Sequence, residues 1–259
     1  MTKQSQITNN LADFYTAEAE KFYNTRKKNI WPEFDHILSQ INQIQKDYIY
    51  ILELGCGDGR FYEFLKINCN KKFSYLWVDI SEGLINIAKR NYPIQENILD
   101  RQVQDMINFT SQELLVNKYD VVISIAAVQH IYSEANRVKL FDNIYNITNY
   151  EGKLIMTNWS FSHRFIKKYY KILRKSLVSK LFTNHDICDL YIPWKSIWSD
   201  KKVYDRYYHI FLINELKKIC LKCSRIIDKI WYIDNAGNFV QNWKNSRNSL
   251  LVAIKDVIK

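Results

Sequence analysis

The sequence predicts a doubly wound, mostly parallel α/β sheet with helices on both faces. Two observations predict it. Strand-like and helix-like segments alternate from residue 48 to 159, and Gly55, Gly57 and Gly59 fall together between the first strand and the helix after it. The chain has 259 residues, only 6 glycines and 3 prolines, and 47% hydrophobic residues. Average usage would give about 18 glycines and 13 prolines. That scarcity excludes collagen-like, linker-like and Pro-rich disordered chains, and the apolar content allows a sizeable core.

Apolar spacing predicts a helix over about 9–24 and another after Trp31-Pro32, where proline at a helix start forfeits no hydrogen bond. Residues 48–54 read as a buried strand ending at the glycines, and 60–68 as a helix. A strand at 73–79 leads to Ser81, a good N-cap for a helix over 82–91. A short strand is expected near 101–104, a continuously apolar strand at 119–125, a helix over 133–147 and a strand over 152–159. Then the pattern changes to a basic amphipathic helix over about 162–182 with Phe165, Tyr169, Leu173, Leu177 and Leu181 as its apolar stripe. A Trp-rich loop over 189–207 follows, then a helix over 212–223 and strands at 225–233 and 249–254. The expected organisation is one domain: an N-terminal helical cap (1–47), a core (48–159), a basic and aromatic insertion (160–208) and the last helix and strands (209–259).

Residues 1–10 are polar and show no signal-peptide pattern, and no apolar run approaches the roughly 18 residues of a membrane span. Five cysteines, few and odd in number, suit a reducing cytoplasm. Cys220 and Cys223 form one C-x-x-C, but a zinc site needs two more ligands and none is nearby, so the pair reads as one helix face. The net charge is +10 and is unevenly spread: residues 160–259 hold 20 basic and 8 acidic side chains, net +12. Such a patch attracts phosphate backbones or anionic lipid, and it is also what a solvated basic helix looks like.

The segment Glu53-Leu54-Gly55-Cys56-Gly57-Asp58-Gly59-Arg60 lies where such a sheet binds a nucleotide-like ligand. Its third glycine comes one residue earlier than in the dinucleotide fingerprint, and no Gly-Lys-Ser/Thr follows, so it is not a phosphate-cradling loop. The pattern acidic-x-G-x-G-x-G resembles motif I of class I S-adenosylmethionine (SAM) methyltransferases. Further landmarks follow in register: Asp79-Ile80 ending the second strand, Gln104-Asp105-Met106 after the third, Tyr119 to Ile131 around the fourth, and Glu151-Gly152 before the fifth. The resemblance implies a Rossmann-like sheet with an antiparallel last strand and SAM as cofactor. It implies cofactor contacts from Glu53, Gly55, Cys56, Gly57, Gly59, Asp79, Ile80, Asp105, Met106 and Ile125. Asp79 would take the ribose hydroxyls, Asp105 the adenine amino group and Met106 the ring.

Flanking segments resemble the tRNA wobble-uridine methyltransferases, which esterify the carboxylate of 5-carboxymethyluridine. These are Phe22 to Pro32 with Thr25-Arg26, Ile125 to His130, Asp189 to Trp194, and Asp205-Arg206-Tyr207-Tyr208-His209-Ile-Phe211. Gln129 departs from that family's first histidine, so only His130 carries over. The likeness runs from about residue 11 to 216. The final strands, with Ile233 to Phe239, resemble the family's ending only loosely. A carboxylate acceptor is ionised at neutral pH and needs a cation to hold it, not a base to activate it. Arg26, Arg206 and His209 are the candidate anchors and His130 a candidate positioning group. Trp194, Tyr207 and Tyr208 are candidates for stacking a flipped base, and Lys167, Lys168, Lys171 and Arg174 for phosphate contacts. The family's eukaryotic members work with a small zinc-binding activator. Two other readings stay open: methylation of a small or lipid-like metabolite, and a non-catalytic SAM-binding or activator subunit.

Overall fold

The computed structural model describes residues 2–26, 30–93, 98–112, 118–182, 186–195 and 203–256. Lys27 and Lys28 of the Thr25-Arg26 segment lie outside the described residues. The main sheet is built around β1 (Tyr48–Leu54), whose Ile49, Ile51, Leu52 and Leu54 are fully buried. β2 (Lys72–Asp79) pairs with it in parallel on one side, and β3 (Ile98–Val103) continues from β2. On the other side come β4 (Tyr119–Ile125) and β5 (Thr148–Trp159), also parallel. A hairpin of β6 (Asp189–Lys195) and β7 (Val203–His209) forms a second sheet. β8 (Arg225–Ile233), β9 (Phe239–Val240) and β10 (Asn248–Lys255) complete the eight-stranded sheet, in the order β3-β2-β1-β4-β5-β10-β8-β9. The antiparallel last strand is β10, set between β5 and β8 and antiparallel to both.

Helices cover both faces because strands buried on both sides need two apolar layers. One layer packs α3 (Glu33–Asn42), α4 (Arg60–Asn68) and α5 (Glu82–Asn91) against Ile51, Trp77, Ile123 and Ile155. The other packs α6 (Met106–Thr110), α7 (Glu134–Ile147) and α9 (Ile213–Lys222) against Leu52, Val78, Val122 and Met156. Ser81 caps α5 as expected, its Oγ accepting from the Leu84 amide at 3.2 Å, a contact of about 1 kcal/mol. Cys220 and Cys223 are buried in the α9 layer, and all five cysteines are free. Among the described residues no helix is long and apolar enough to cross a membrane.

Two expectations are corrected. The single N-terminal helix is two, α1 (Lys3–Ala17) and α2 (Ala19–Asn24), broken at Glu18. Glu18 is buried there, accepting from Trp194 Nε1 at 3.3 Å and pairing with Lys21 at 3.6 Å. The Trp-rich segment is no loop but mainly the β6–β7 hairpin. Its alternating residues serve two partners. Leu190, Ile192 and Tyr208 face α8 (His163–Phe182), while Tyr207 packs on Ile7 and Leu11 of α1. The hairpin thereby brings α1, the first helix of the chain, over the carboxyl ends of β1 and β4.

Candidate active site

Those carboxyl ends form one wall of a cavity that opens to solvent. The β1–α4 turn supplies its floor. Gly55 has φ +76°, and a Cβ there would overlap the Cβ of Ala127 after β4, so only glycine fits. Its amide donates to the Val78 carbonyl at 2.7 Å, tying the turn to β2. Gly57 and Gly59 also have positive φ.

Asp79 ends β2 with its carboxylate accepting from the Gly57 and Ser81 amides at 2.8 and 2.9 Å. Burial pushes its pKa up to about 6, against those amide bonds, which pull it down. Glu53 is fully enclosed and accepts from Tyr75 at 2.9 Å; burial holds its pKa up at about 8. Two buried acids beside one cavity, neither with a cation bonded to it among the described residues, suit a ligand bringing hydroxyls and positive charge. Burial also drives the Cys56 thiol well above its usual range, so it is an inert neutral wall. Asp105 caps α6 through Oδ1, leaving Oδ2 toward Thr8 of α1 at 3.4 Å. Ile80, Met106 and Ile125 add apolar lining on the same cavity. This set fits a nucleoside with a charged tail: an acid for a ribose diol, apolar side chains for a ring, and a backbone cradle.

The same cavity is also lined by Tyr15 and His130, where α1 and the hairpin meet the loop after β4. His130 Nδ1 donates to the Tyr207 carbonyl at 2.7 Å, which fixes the neutral tautomer and leaves Nε2 as acceptor. Burial, helped by the Arg206 charge and opposed by the Tyr207 hydrogen bond, lowers the His130 pKa to about 4. Tyr15 of α1 reaches Nε2 at 3.2 Å and lines the cavity. Arg206 is only 6% exposed, and its Nε finds no partner. Instead its guanidinium lies over the rings of Phe14, Trp194 and Tyr208 at 4.9, 4.9 and 5.2 Å. Arg26 stacks on Phe22 at 3.8 Å, and burial, with Arg60 and Arg206 nearby, lowers its pKa. Among the described residues no carboxylate pairs with Arg206 or Arg26.

Other predicted residues are placed elsewhere. His209 is no anchor here: it is wholly buried, with Nδ1 2.7 Å from Asp189 and Nε2 2.9 Å from Glu215 of α9. Asp186, Asp189 and His209 bring candidate metal-ligand atoms within 4.8 Å of one another, but both His209 nitrogens are taken by carboxylates. Tyr207 and Tyr208 cannot stack a base, since both are 1% exposed and Tyr208 already stacks on Trp159 at 4.6 Å. Trp194 is half-buried against Phe14, and Lys167, Lys168, Lys171 and Arg174 sit on the solvent face of α8. Gln129 is buried and accepts from the Trp159 amide at 3.0 Å, a structural role. Sequence reasoning missed Tyr15, Thr8 and Arg60, which line the cavity. No spacing connects the first two to the glycine turn.

Residues 51–152 match the family described as Methyltransferase domain. A tRNA (carboxymethyluridine(34)-5-O)-methyltransferase of Xenopus tropicalis is 21% identical over 256 residues, covering 84% of this chain and 38% of that protein. The chain spans about a third of the length of the curated relatives it matches. Among solved structures, a Burkholderia thailandensis 1,6-didemethyltoxoflavin-N1-methyltransferase with bound S-adenosylhomocysteine superposes with a TM-score of 0.64 at 9% identity, over 99% of this chain and 92% of that one. A methyltransferase complex with the Trm112 methyltransferase activator of Haloferax volcanii gives 0.64 at 13% identity, over 96% and 98%. With the glycine turn, Asp79 and the sheet order in place, residues 51–152 are a methyltransferase domain, and the chain that carries them has the fold of the SAM-dependent methyltransferases it resembles.

Proposed function

We propose that this enzyme transfers the methyl group of SAM to the carboxylate of a 5-carboxymethylated uridine at the wobble position of tRNA. The observation that carries the reading is Arg206: a buried cation that no carboxylate pairs with among the described residues, set beside Arg26 and a neutral His130. A buried guanidinium is costly unless something anionic completes it, and a carboxylate accepts its fork in bidentate fashion. The cofactor roles are part of the same proposal. Asp79 holds the ribose hydroxyls, Glu53 faces the ammonium end, and Asp105 and Met106 hold the adenine.

The chemistry needs little beyond placement. A carboxylate oxygen forms the new C–O bond as the S–CH₃ bond breaks, giving a methyl ester and a neutral thioether, with no proton moved. A histidine held near pKa 4 is not needed as a base; its Nε2 accepts from Tyr15 and holds that side chain at the cavity, where it orients the nucleotide. Anion and sulfonium lose charge together, so a dry chamber favours the transition state over the solvated reactants.

The name of the Xenopus tropicalis relative supports this acceptor, and the Haloferax volcanii complex supports a Trm112-type activator as partner. Five free cysteines suit the reducing cytoplasm, where tRNA is modified. Nucleoside mass spectrometry tests it, using tRNA from cells lacking this enzyme, incubated with SAM and with the activator present. The expected result is conversion of 5-carboxymethyluridine to its methyl ester. An unchanged tRNA profile together with methylation of free small carboxylic acids would select a metabolite acceptor instead.

A further inference from the structure

α8 carries seven lysines and arginines and no acid. Arg164, Lys167, Lys168, Lys171, Arg174 and Lys175 are all exposed, and their spacing sets them along one side of the helix. From Arg164 to Lys175 that side runs about 17 Å at 1.5 Å per residue. The first half of the opposite side is already used. Phe165 is buried against Leu190, Ile192 and Tyr208, and Tyr169, Ile172 and Leu173 pack on the same cluster. Ser176 Oγ donates to the Ile187 and Asp189 carbonyls, both at 3.4 Å. The helix is therefore anchored on the hairpin that carries Arg206.

We infer that the outer side of α8 is the docking track for the phosphate backbone of RNA whose flipped nucleotide occupies the Arg206–His130 chamber. The inference rests on the acceptor reading above. Placement supports it: α8 kinks at Tyr169 (φ −113°, ψ 17°), and Tyr169 packs in the cluster that includes Tyr208, whose ring lies against the Arg206 guanidinium. The row of cations is thus held on the same hairpin as Arg206. A membrane-surface helix would need its apolar side free for lipid, and here Phe165, Tyr169, Ile172 and Leu173 are spent on the hairpin, leaving of the predicted stripe Leu177 exposed, with Tyr170 and Val178 beside it. Fixed cations without base-reading groups suit a partner recognised through its phosphates.

The test is binding of a synthetic anticodon stem-loop RNA across a salt series, read by fluorescence anisotropy with no methyl transfer required. The variant K167Q/K168Q/K171Q/R174Q is compared with wild type and with K66Q/K72Q/K89Q, whose lysines are exposed elsewhere. Each lost phosphate contact lowers the slope of log K against log salt by about 0.7–0.9. The α8 variant should therefore lose about 3 units of slope, while the control keeps the wild-type slope. Unchanged thermal midpoints and SAM affinity show that the α8 variant is folded. Methylation of free 5-carboxymethyluridine should survive in it, separating the track from the chamber. The inference is overturned if the α8 variant keeps the wild-type slope, if wild type does not bind the RNA, or if α8 binds phosphatidylserine vesicles and not RNA. RNA binding through α8 without any carboxylate methylation would instead remove the proposed acceptor and leave the track.

Discussion

The Tyr15 hydroxyl lies 3.2 Å from Nε2 of His130, joining the first helix of the chain to the loop after β4. Because Nδ1 of the same ring is committed to the Tyr207 carbonyl, Tyr15 is the donor of the pair. Tyr15→Phe removes one hydrogen bond and keeps the ring packing. It should lower kcat/KM for the acceptor about 2- to 10-fold, from a bond worth about 0.5–1.5 kcal/mol, while SAM affinity stays within error. Equal losses in SAM and acceptor binding would mean that Tyr15 only holds the cavity together.

Arg206 should behave oppositely in stability and in activity. With no carboxylate partner among the described residues, it bears a desolvation cost in the free enzyme, so Arg206→Met should leave the thermal midpoint unchanged or raise it. The same change should cost acceptor kcat/KM about 10- to 100-fold, from about 1.5–3 kcal/mol for a charged hydrogen bond, with SAM binding intact by calorimetry. A large fall in the midpoint would show that the guanidinium is structural.

Asp79 makes SAM affinity depend on pH. Its carboxylate must be ionised to accept from two hydroxyls, and its pKa in the free protein is about 6. Affinity should fall as pH drops below that value, since protonation then competes with the ligand. Titration calorimetry at several pH values checks this, and Asp79→Asn should bind weakly at every pH.

His209 affects the stability of the hairpin rather than the acceptor. Its two carboxylate bonds raise its pKa above the ordinary 6.5, against the pull of burial, which is the largest single effect. A histidine raised on folding contributes stability fully below its unfolded pKa and loses it as pH rises through the folded value. Unfolding free energy should therefore decline from about pH 6.5 upward, and His209→Gln should flatten that decline. Asp189, lowered by His209 and Tyr207 despite its burial, acts at the other end, losing its contribution as pH falls through its own depressed value.

Gly55→Ala places a methyl group against Ala127 on a backbone with φ +76°. It should abolish measurable SAM binding, and the strained backbone alone should cost about 1–3 kcal/mol of stability. SAM binding equal to wild type would show that the β1–α4 turn is not the cradle.

The sequence by itself determined the central sheet, the glycine turn and the acids around it, because these are local. A strand, its following turn and the next helix lie within one stretch of chain, so periodicity and glycine position report them directly. Arg26, His130 and Arg206 were also visible as residue types, through a family likeness rather than through any spacing. What only the tertiary structure decided was which of their neighbours share the compartment. Tyr207, Tyr208 and His209 are consecutive, yet the pleat of β7 sends Tyr207 to α1 and Tyr208 to α8, while α9 supplies Glu215 to close over His209. Tyr15 and Thr8, more than a hundred and almost a hundred residues from His130 and Asp105, reach them only because the hairpin gives α1 a surface to pack on. Burial and partner choice there depend on contacts between distant segments, and no pattern within either segment encodes them.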